Sequence, residues 1–229
     1  MITVAQAQPN ERARFIQKTY THLAGAIAAF IALEFIFFQT GIAGLITRVA
    51  VSSRFSWLLI LGGFALLGWM SRGLTARANE PNIQYMGLGL YVVGEAILFA
   101  PLLFIAAVFS DASVIPTAGI LTLLMFGGLT AIAFTSGKDF TFLGGILKLG
   151  GFVALGLIIC SAIFGFTLGL LFSVVMVVFA SAAILYDTSK IMHHYSTDHY
   201  VAASLELFAS VALLFWYMLR ILMALSSRR

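Results

Sequence analysis

Residues 168–185 read LGLLFSVVMVVFASAAIL, and this stretch decides the fold class of the chain. It is apolar at nearly every position, whereas a strand of a membrane β-barrel alternates apolar and polar residues over about ten positions. A helix of about 20 apolar residues is long enough to cross the hydrocarbon core of a bilayer. The stretch therefore predicts a transmembrane helix and not a barrel strand.

The rest of the chain has the same composition as this stretch. Of its 229 residues, 61% are hydrophobic and only 10% are charged, whereas a soluble domain carries roughly 25% charged residues to cover its surface against water. The mean hydropathy is +1.04. This composition excludes a soluble globule and predicts lipid as the surroundings. The net charge of +4 comes from loop flanks and gives no reason to expect a nucleic-acid partner.

Charged and turn residues divide the chain into seven apolar runs, each long enough to span a bilayer. The runs cover residues 21–46, 55–74, 84–109, 114–135, 141–165, 168–189 and 200–226. The break near residues 165–169 is the weakest, but one helix over 141–189 would be about 74 Å long at 1.5 Å per residue. We therefore predict an all-α membrane protein, with one seven-helix domain over residues 20–229 and a polar tail over residues 1–19.

Lysines and arginines near the ends of the runs predict the orientation, because cytoplasmic flanks carry an excess of them. If the N-terminus is inside, the inner side holds Arg12, Arg14, Lys18, Arg72, Arg77, Lys138 and Lys190. The outer side then holds Arg48, Arg54, Arg228 and Arg229. This imbalance favours a cytoplasmic N-terminus and a C-terminus outside.

Besides Arg72 near the end of the second run, six charged residues fall within the apolar runs, where a charge costs roughly 2.5–3.5 kcal/mol on insertion scales. They are Glu34, Glu95, Lys148, Asp187, Glu206 and Arg220. Because such residues are costly, each is a candidate for function. The alternative for a buried acid is a neutral carboxyl group bonded to a neighbouring helix, and the alternative for a base is a side chain that reaches an interface.

Asp187 and Glu206 form the strongest candidate site. Asp187 ends the sixth run and Glu206 lies about two turns into the seventh, so both are expected within about 10 Å of the inner face. Two carboxylates in a low-dielectric setting repel, and would share a proton or a cation. Ca²⁺ prefers such oxygen ligands, so the pair predicts a pH-gated cation site. Asp187 could instead cap its helix in headgroup water.

Arg72, Glu95 and Pro101 are candidates for the moving parts of such a site. Arg72 ends the second run at the depth of Asp187, where it could hold the ionised aspartate as a latch or simply flank the membrane. Glu95 lies six residues before Pro101, and proline frees a backbone carbonyl and can kink a helix. The two residues together suggest a polar, deformable stretch of a pathway.

No constellation of residues supports an enzyme. His193, His194 and His199 share one loop, but no HExxH motif or cysteine pair completes a zinc site. Ser136 lies in a loop, without GxSxG or a deep histidine to act as base. We expect no cofactor beyond bound or transported Ca²⁺, and the histidines could add to pH sensing.

Three segments resemble the Bax inhibitor-1 (transmembrane Bax inhibitor motif) family of small seven-helix membrane proteins. They are FTSGKDFTFLGG at 134–145, AILYDTSKI at 183–191 and YVAASLELF at 200–208, which runs on to Leu219-Arg220. Gly94-Glu95 followed by Ala100-Pro101-Leu102 also looks like the third helix of the family. Chain length and helix number are similar over essentially the whole chain.

The resemblance implies a seventh helix at the centre of the bundle and a pH-sensitive Ca²⁺ leak. In the family this leak is gated by two aspartates on the sixth and seventh helices, with an arginine latch from the second. Asp187 matches the first aspartate, whereas the second is expected at Ser210 and is a serine here. Either Glu206, one turn earlier on the same face, replaces that carboxylate, or the pair is missing.

A bacterial branch of the family also has serine at the position of Ser210, and it binds and restrains the AAA-type protease of the inner membrane. The polar N-terminal segment is similar to that branch as well. The resemblance therefore implies a bacterial-type member in an inner membrane. A pH-sensitive Ca²⁺ leak channel is the first hypothesis, and a non-conducting regulator of such a protease or of a stress pathway is the alternative.

Overall fold

A computed structural model describes residues 3–77 and 80–226, and this part of the chain folds into eight helices without a β-strand. They are α1 (Pro9–Gln39), α2 (Ile42–Val51), α3 (Arg54–Thr75), α4 (Pro81–Phe109), α5 (Val114–Thr135), α6 (Leu143–Phe164), α7 (Leu170–His193) and α8 (Tyr200–Ser226). All except α2 are long and apolar enough to cross a membrane. The all-α class and the seven predicted spans are therefore confirmed. Arg228 and Arg229, which entered the orientation count, lie outside the described residues.

The first apolar run is divided between two helices. Residues 21–46 were expected to form one span, but α1 ends at Gln39 and the short α2 follows it. Gly41 between them has a φ of 76°, a left-handed conformation that glycine adopts without a steric penalty. At the other end α1 begins at Pro9, the first-turn position that proline favours. Residues 9–19 of the predicted polar tail thus belong to α1.

Consecutive spanning helices run in opposite directions, so the bundle has two distinct ends. We name one of them the carboxylate end, because the candidate carboxylates Asp187 and Glu206 lie there. The helices α3, α5 and α7 end at it, and α1, α4, α6 and α8 begin at it. At the opposite end Ser226 Oγ donates to Asp111 Oδ2 at 3.1 Å, which joins the end of α8 to the turn after α4. The candidate residues Asp187, Glu206 and Arg72 all belong to the carboxylate end.

The last helix, α8, lies at the centre of the bundle, as predicted. It packs against α1, α3, α4, α5 and α7, and four of its leucines, Leu205, Leu207, Leu214 and Leu219, are fully buried. Small residues such as Ala203 and Ser204 let the neighbouring backbones approach it closely. In contrast, α6 packs against α3 and α7 and exposes large apolar side chains such as Phe152.

Two glycines of α4 bring this helix against α3. A Cβ atom at Gly87 would lie 2.9 Å from the backbone oxygen of Ser71, and one at Gly94 would lie 2.8 Å from Leu67 Cδ2. At Gly87 the facing atom is backbone, so only a glycine fits there, whereas the Leu67 side chain can shift away from Gly94. This contact fixes the end of α3, and with it Arg72, beside α4 and α8.

The first described residues dock on the loop between α7 and α8. Thr3 forms an isolated antiparallel bridge with Ser196, and the N–H of Val4 donates to the carbonyl of Tyr195 at 2.9 Å. Val4 itself is fully buried in the main core. The start of the chain therefore covers part of the carboxylate end of the bundle.

Candidate functional site

Asp187 is bonded to the serine that occupies the position expected to be an aspartate. Its Oδ2 accepts a hydrogen bond from Ser210 Oγ at 2.5 Å, and both residues are 8% exposed. The short loop over residues 194–199 makes α7 and α8 antiparallel neighbours, which brings the two side chains together. A hydroxyl group that donates to a carboxylate thus stands where two carboxylates were expected.

Arg72 contacts Glu206 in this structure. Its Nε donates to Glu206 Oε1 at 3.0 Å, and its guanidinium carbon lies 5.8 Å from the ring centre of Tyr91 in α4. The sequence hypothesis placed this latch on Asp187, whose hydrogen-bond partner here is Ser210. Because residues 206 and 210 lie one turn apart on α8, the two bonded pairs are neighbours.

A cavity of about 900 Å³ extends along α8 from the Arg72–Glu206 pair towards the opposite end. Arg220, which also lines it, lies fourteen residues after Glu206, about 21 Å along a helix at 1.5 Å per residue. Glu95, Pro101 and Ser210 line its wall, so the two predicted pathway residues face one space. Most of the remaining wall is apolar, and includes Trp57, Phe64, Phe99 and Trp216.

The other charged residues within the spans have different environments. Arg220 Nη2 donates to the backbone oxygen of Leu168 at 3.2 Å, whereas Lys148 is exposed on α6. Glu34 is only 7% exposed, and neither of its carboxyl oxygens has a hydrogen-bond partner among the described residues. Neither Lys148 nor Glu34 lines the cavity along α8.

Tyr195 is a residue of this site that the sequence reasoning missed. Burial, together with the negative charges of Glu206 and Asp187, raises the pKa of Tyr195 well above its ordinary value. Its ring centre also lies 5.4 Å from Lys190 Nζ, and its backbone carbonyl holds Val4. Tyr195 thus binds the N-terminal segment and is within the electrostatic influence of the two carboxylates, and no motif in the sequence marks it.

A second network joins the loop between α5 and α6 to the end of α7. Asp139 Oδ1 accepts hydrogen bonds from the N–H of Thr141 at 2.9 Å and from Ser189 Oγ at 3.0 Å. The bonds from Thr141 and Ser189, with His194 nearby, hold the pKa of Asp139 well below its usual range. An aspartate bonded to the N–H two residues later is common in turns, and it fits the polar turn over residues 136–139 that separates the fourth and fifth apolar runs.

The three histidines that were expected to share a loop have different partners, and His193 is the last residue of α7. His194 Nε2 lies 3.5 Å from Asp139 Oδ2, His193 Nδ1 lies 2.8 Å from the carbonyl of Ser189, and His199 Nε2 lies 3.3 Å from the carbonyl of Ala76. Over residues 3–77 and 80–226, no group of three or more His, Cys, Asp or Glu residues could hold a metal ion. Ca²⁺ at Asp187 and Glu206 would have two protein carboxylates, and Arg72 would have to leave Glu206 to admit it.

A family model described as "Inhibitor of apoptosis-promoting Bax1" matches residues 12–228. The matched region contains every residue of the candidate site. Protein lifeguard 4 of Mus musculus is 26% identical over 234 residues, which cover 98% of this chain and 91% of that protein. The resemblance indicated by the three sequence segments is thereby confirmed.

Two bacterial relatives are more similar over a shorter region. Uncharacterized protein PA2604 of Pseudomonas aeruginosa is 41% identical over 110 residues, 48% of this chain and 49% of that protein. A protein of Escherichia coli named Modulator of FtsH protease YccA is 35% identical over 102 residues, 44% of this chain and 46% of that protein. The chain thus spans about half the length of each of these two relatives.

Proposed function

The chain belongs to the Bax inhibitor-1 family, and on that basis we propose that it is a pH-sensitive leak channel for Ca²⁺. The observation that supports this function best is the cavity along α8, which is lined by Glu95, Ser210 and Arg220 and has the Arg72–Glu206 pair at its carboxylate end. In this function no side chain has a catalytic role.

The ion pair is proposed as the closed gate. Arg72 neutralises Glu206 and its guanidinium stands beside the carboxylate, where it opposes the entry of another cation. Protonation of Asp187, which is bonded to α8 one turn away, would reduce the negative charge that attracts Arg72 to this end, so acid is expected to open it. A divalent cation would compete with Arg72 for the same carboxylate, since Ca²⁺ prefers oxygen ligands.

Asp187 is proposed as the sensor beside this gate and as a second Ca²⁺ ligand. Its bond to Ser210 holds one carboxyl oxygen towards α8, one turn from Glu206. Glu206 lines one end of the cavity, and Asp187 lies beside this end, bonded to the lining residue Ser210. We place this end at the cytoplasmic face of a bacterial inner membrane. The N-terminus would be cytoplasmic and the C-terminus outside.

Flux through the purified protein tests this function. The full chain in liposomes, with a Ca²⁺ indicator inside, is expected to show a leak that increases from pH 8 to pH 6. Asp187→Asn removes the titrating group and should flatten this dependence, whereas Lys148→Gln, on the lipid-facing side of α6, should leave it unchanged. A leak absent at every pH with Ca²⁺, Na⁺ and K⁺, or an unaltered profile in Asp187→Asn, would contradict the channel.

The similarity to the modulator of FtsH protease favours a second function. In this alternative the bundle binds a membrane AAA protease and conducts no ions. Deleting residues 1–7 keeps Gln8, whose carbonyl accepts hydrogen bonds from the first turn of α1, and removes the segment that docks on Tyr195. Loss of co-purification with the protease in this variant, with no flux in the full chain, would support the modulator over the channel.

A further inference from the structure

A second space, separate from the cavity along α8, opens between α1 and α4. It is a groove of about 590 Å³, lined by Gly25, Ala29 and Leu33 of α1 and by Gly89 and Val93 of α4. A Cβ atom at either Gly25 or Gly89 would meet no atom within 4 Å. The small residues here therefore leave open space, unlike Gly87 and Gly94, which bring α4 against α3.

The groove has the length of one acyl chain in a single leaflet. Its lining extends from Thr21 to Leu33 on α1, which is about 18 Å at 1.5 Å per residue. Half of the hydrocarbon core of a bilayer is about 15 Å. An apolar groove of this length on a spanning pair of helices fits one extended hydrocarbon chain.

Four polar side chains form a cluster at the carboxylate end of the groove, which we name the head cluster: Lys18, His22, Tyr85 and Tyr200. The ring of His22 is stacked on Tyr85, with ring centres 5.5 Å apart, and lies 5.1 Å from the ring centre of Tyr200. The two phenol oxygens are 2.9 Å apart. Lys18 Nζ lies 5.0 Å from the ring centre of Tyr200. Of these four, His22 and Tyr85 line the groove itself.

The hydrogen-bond inventory of the head cluster leaves a donor for a ligand. A pair of hydroxyl groups carries two protons, and the bond between Tyr85 and Tyr200 uses one of them. The other phenol O–H is free to donate to a further acceptor. His22 Nδ1 is 2.7 Å from the carbonyl of Lys18 and donates to it, so this nitrogen is already used.

The charge of the head cluster is positive. Within the described part of the chain, no carboxylate forms an ion pair with Lys18. Tyr200 is the first residue of α8, so the positive end of a long helix dipole is also nearby. An ammonium group, a free phenol O–H and a helix N-terminus favour an anion with several acceptor oxygens.

We propose that the groove between α1 and α4 binds an anionic phospholipid, with one acyl chain along Gly25 and Gly89 and the phosphate at the head cluster. The groove explains why the ligand is a lipid and not free phosphate, since the acyl chain fills space that inorganic phosphate leaves open. The unpaired charge of Lys18 explains the preference for an anionic over a zwitterionic headgroup. The site is independent of the proposed ion pathway.

Native mass spectrometry of the full chain in detergent tests the site, with phosphatidylglycerol and phosphatidylcholine of the same acyl chains as probes. The wild-type protein is expected to retain phosphatidylglycerol more strongly than phosphatidylcholine. Lys18→Gln should weaken the binding of phosphatidylglycerol about fivefold, which corresponds to about 1 kcal/mol per basic residue at a membrane surface. The binding of phosphatidylcholine should be unchanged. Arg48→Gln, at the opposite end, is the charge control and should bind as the wild type does.

Filling the groove gives the second arm of the test. The double variant Gly25→Leu and Gly89→Leu occupies the open space, and it should weaken the binding of both lipids at least about tenfold. Gly127→Leu, which also points into open space but on α5, is the matched control and should change neither. Equal melting temperatures of the three proteins in lipid-free detergent show that the fold is retained.

Three results would overturn the site. One is retention of phosphatidylglycerol by the filled groove at the wild-type level. Another is competition by inorganic phosphate at the concentration of the lipid, which would identify a phosphate site without a lipid chain. In the third, the variant with the filled groove no longer binds a protein that the wild type binds, while it still binds lipid. This would assign the groove to a helix of a partner protein.

Discussion

At the scale of single residues, the hydroxyl of Ser210 distinguishes this site from one built on two aspartates. Ser210 donates to Asp187 at 2.5 Å and its hydroxyl carries no charge, whereas two carboxylates at that distance cannot both be ionised. Ser210→Asp should therefore retain a proton at neutral pH and steepen the dependence of Ca²⁺ flux between pH 6 and pH 8. Ser210→Ala removes the donor without adding a charge and is the control. Identical profiles for the two variants in liposomes would contradict this role.

Arg72 is the second residue whose role can be separated by substitution. Arg72→Gln leaves Glu206 without the cation that lies 3.0 Å away. If the pair is the gate, flux at pH 8 should rise towards the value that the wild type reaches at pH 6. Arg77→Gln removes a charge from the same end of the bundle, five residues later, and should have little effect. A low flux at pH 8 in both variants would show that Arg72 does not close the pathway.

At the scale of helices, the contact between α3 and α4 requires glycine at one position and not at its neighbour. A methyl group at Gly87 would lie 2.9 Å from a backbone oxygen of α3, whereas one at Gly89 would meet nothing. Gly87→Ala should destabilise the bundle by about 1–3 kcal/mol, as overpacking does. Gly89→Ala should be neutral or slightly stabilising, because alanine favours helices by about 1 kcal/mol over glycine. Thermal unfolding in detergent measures both, and equal melting temperatures would contradict the close contact.

The loop between α5 and α6 is attached to α7 through Asp139. The pKa of Asp139 determines how its contribution to stability changes with pH. The pKa of Asp139 is lowered in the folded protein, so its contribution to stability is present above the unfolded value of about 3.9 and is lost as the pH falls through the folded value. Asp139 is therefore ionised throughout pH 6 to pH 8 and contributes nothing to pH sensing there.

Asp139→Asn tests that statement. The substitution weakens the bonds from Thr141 and Ser189, and because the side chain is half exposed the expected loss is about 1 kcal/mol. For a chain of this size that lowers the melting temperature by about 2–4 °C. The pH profile of Ca²⁺ flux should keep its shape. A flattened profile would show that this loop, and not the carboxylates on α7 and α8, senses pH.

At the scale of the whole molecule, the seven spans could be predicted because hydrophobic length is a strong, local property of a sequence. The division of the first run at Gly41 was missed, because hydropathy does not register a left-handed glycine between two apolar segments. The central position of the last helix was predicted from the family resemblance, and the buried leucines of α8 agree with it.

The partners within the candidate site were harder to predict than its location. The depth of Arg72, Asp187 and Glu206 followed from their distance to the helix ends, and the structure does bring all three to the carboxylate end. Which carboxylate Arg72 contacts depends on how α3 packs on α4 and α8, through contacts far apart in sequence. The bond from Ser189 to Asp139 and the role of Tyr195 were missed for the same reason, because the partners lie on other elements.

The burial of Val4 limits what can be attached to the N-terminus of this protein. The first residues are anchored on Ser196 and Tyr195, so mechanical load applied to the start of the chain reaches the α7–α8 connection directly. An affinity tag or a fluorescent fusion placed ahead of Thr3 would pull on the segment that is bonded to Tyr195 and Ser196. Such a fusion would therefore perturb the carboxylate end of the bundle, where the N-terminal segment is bonded to the loop between α7 and α8.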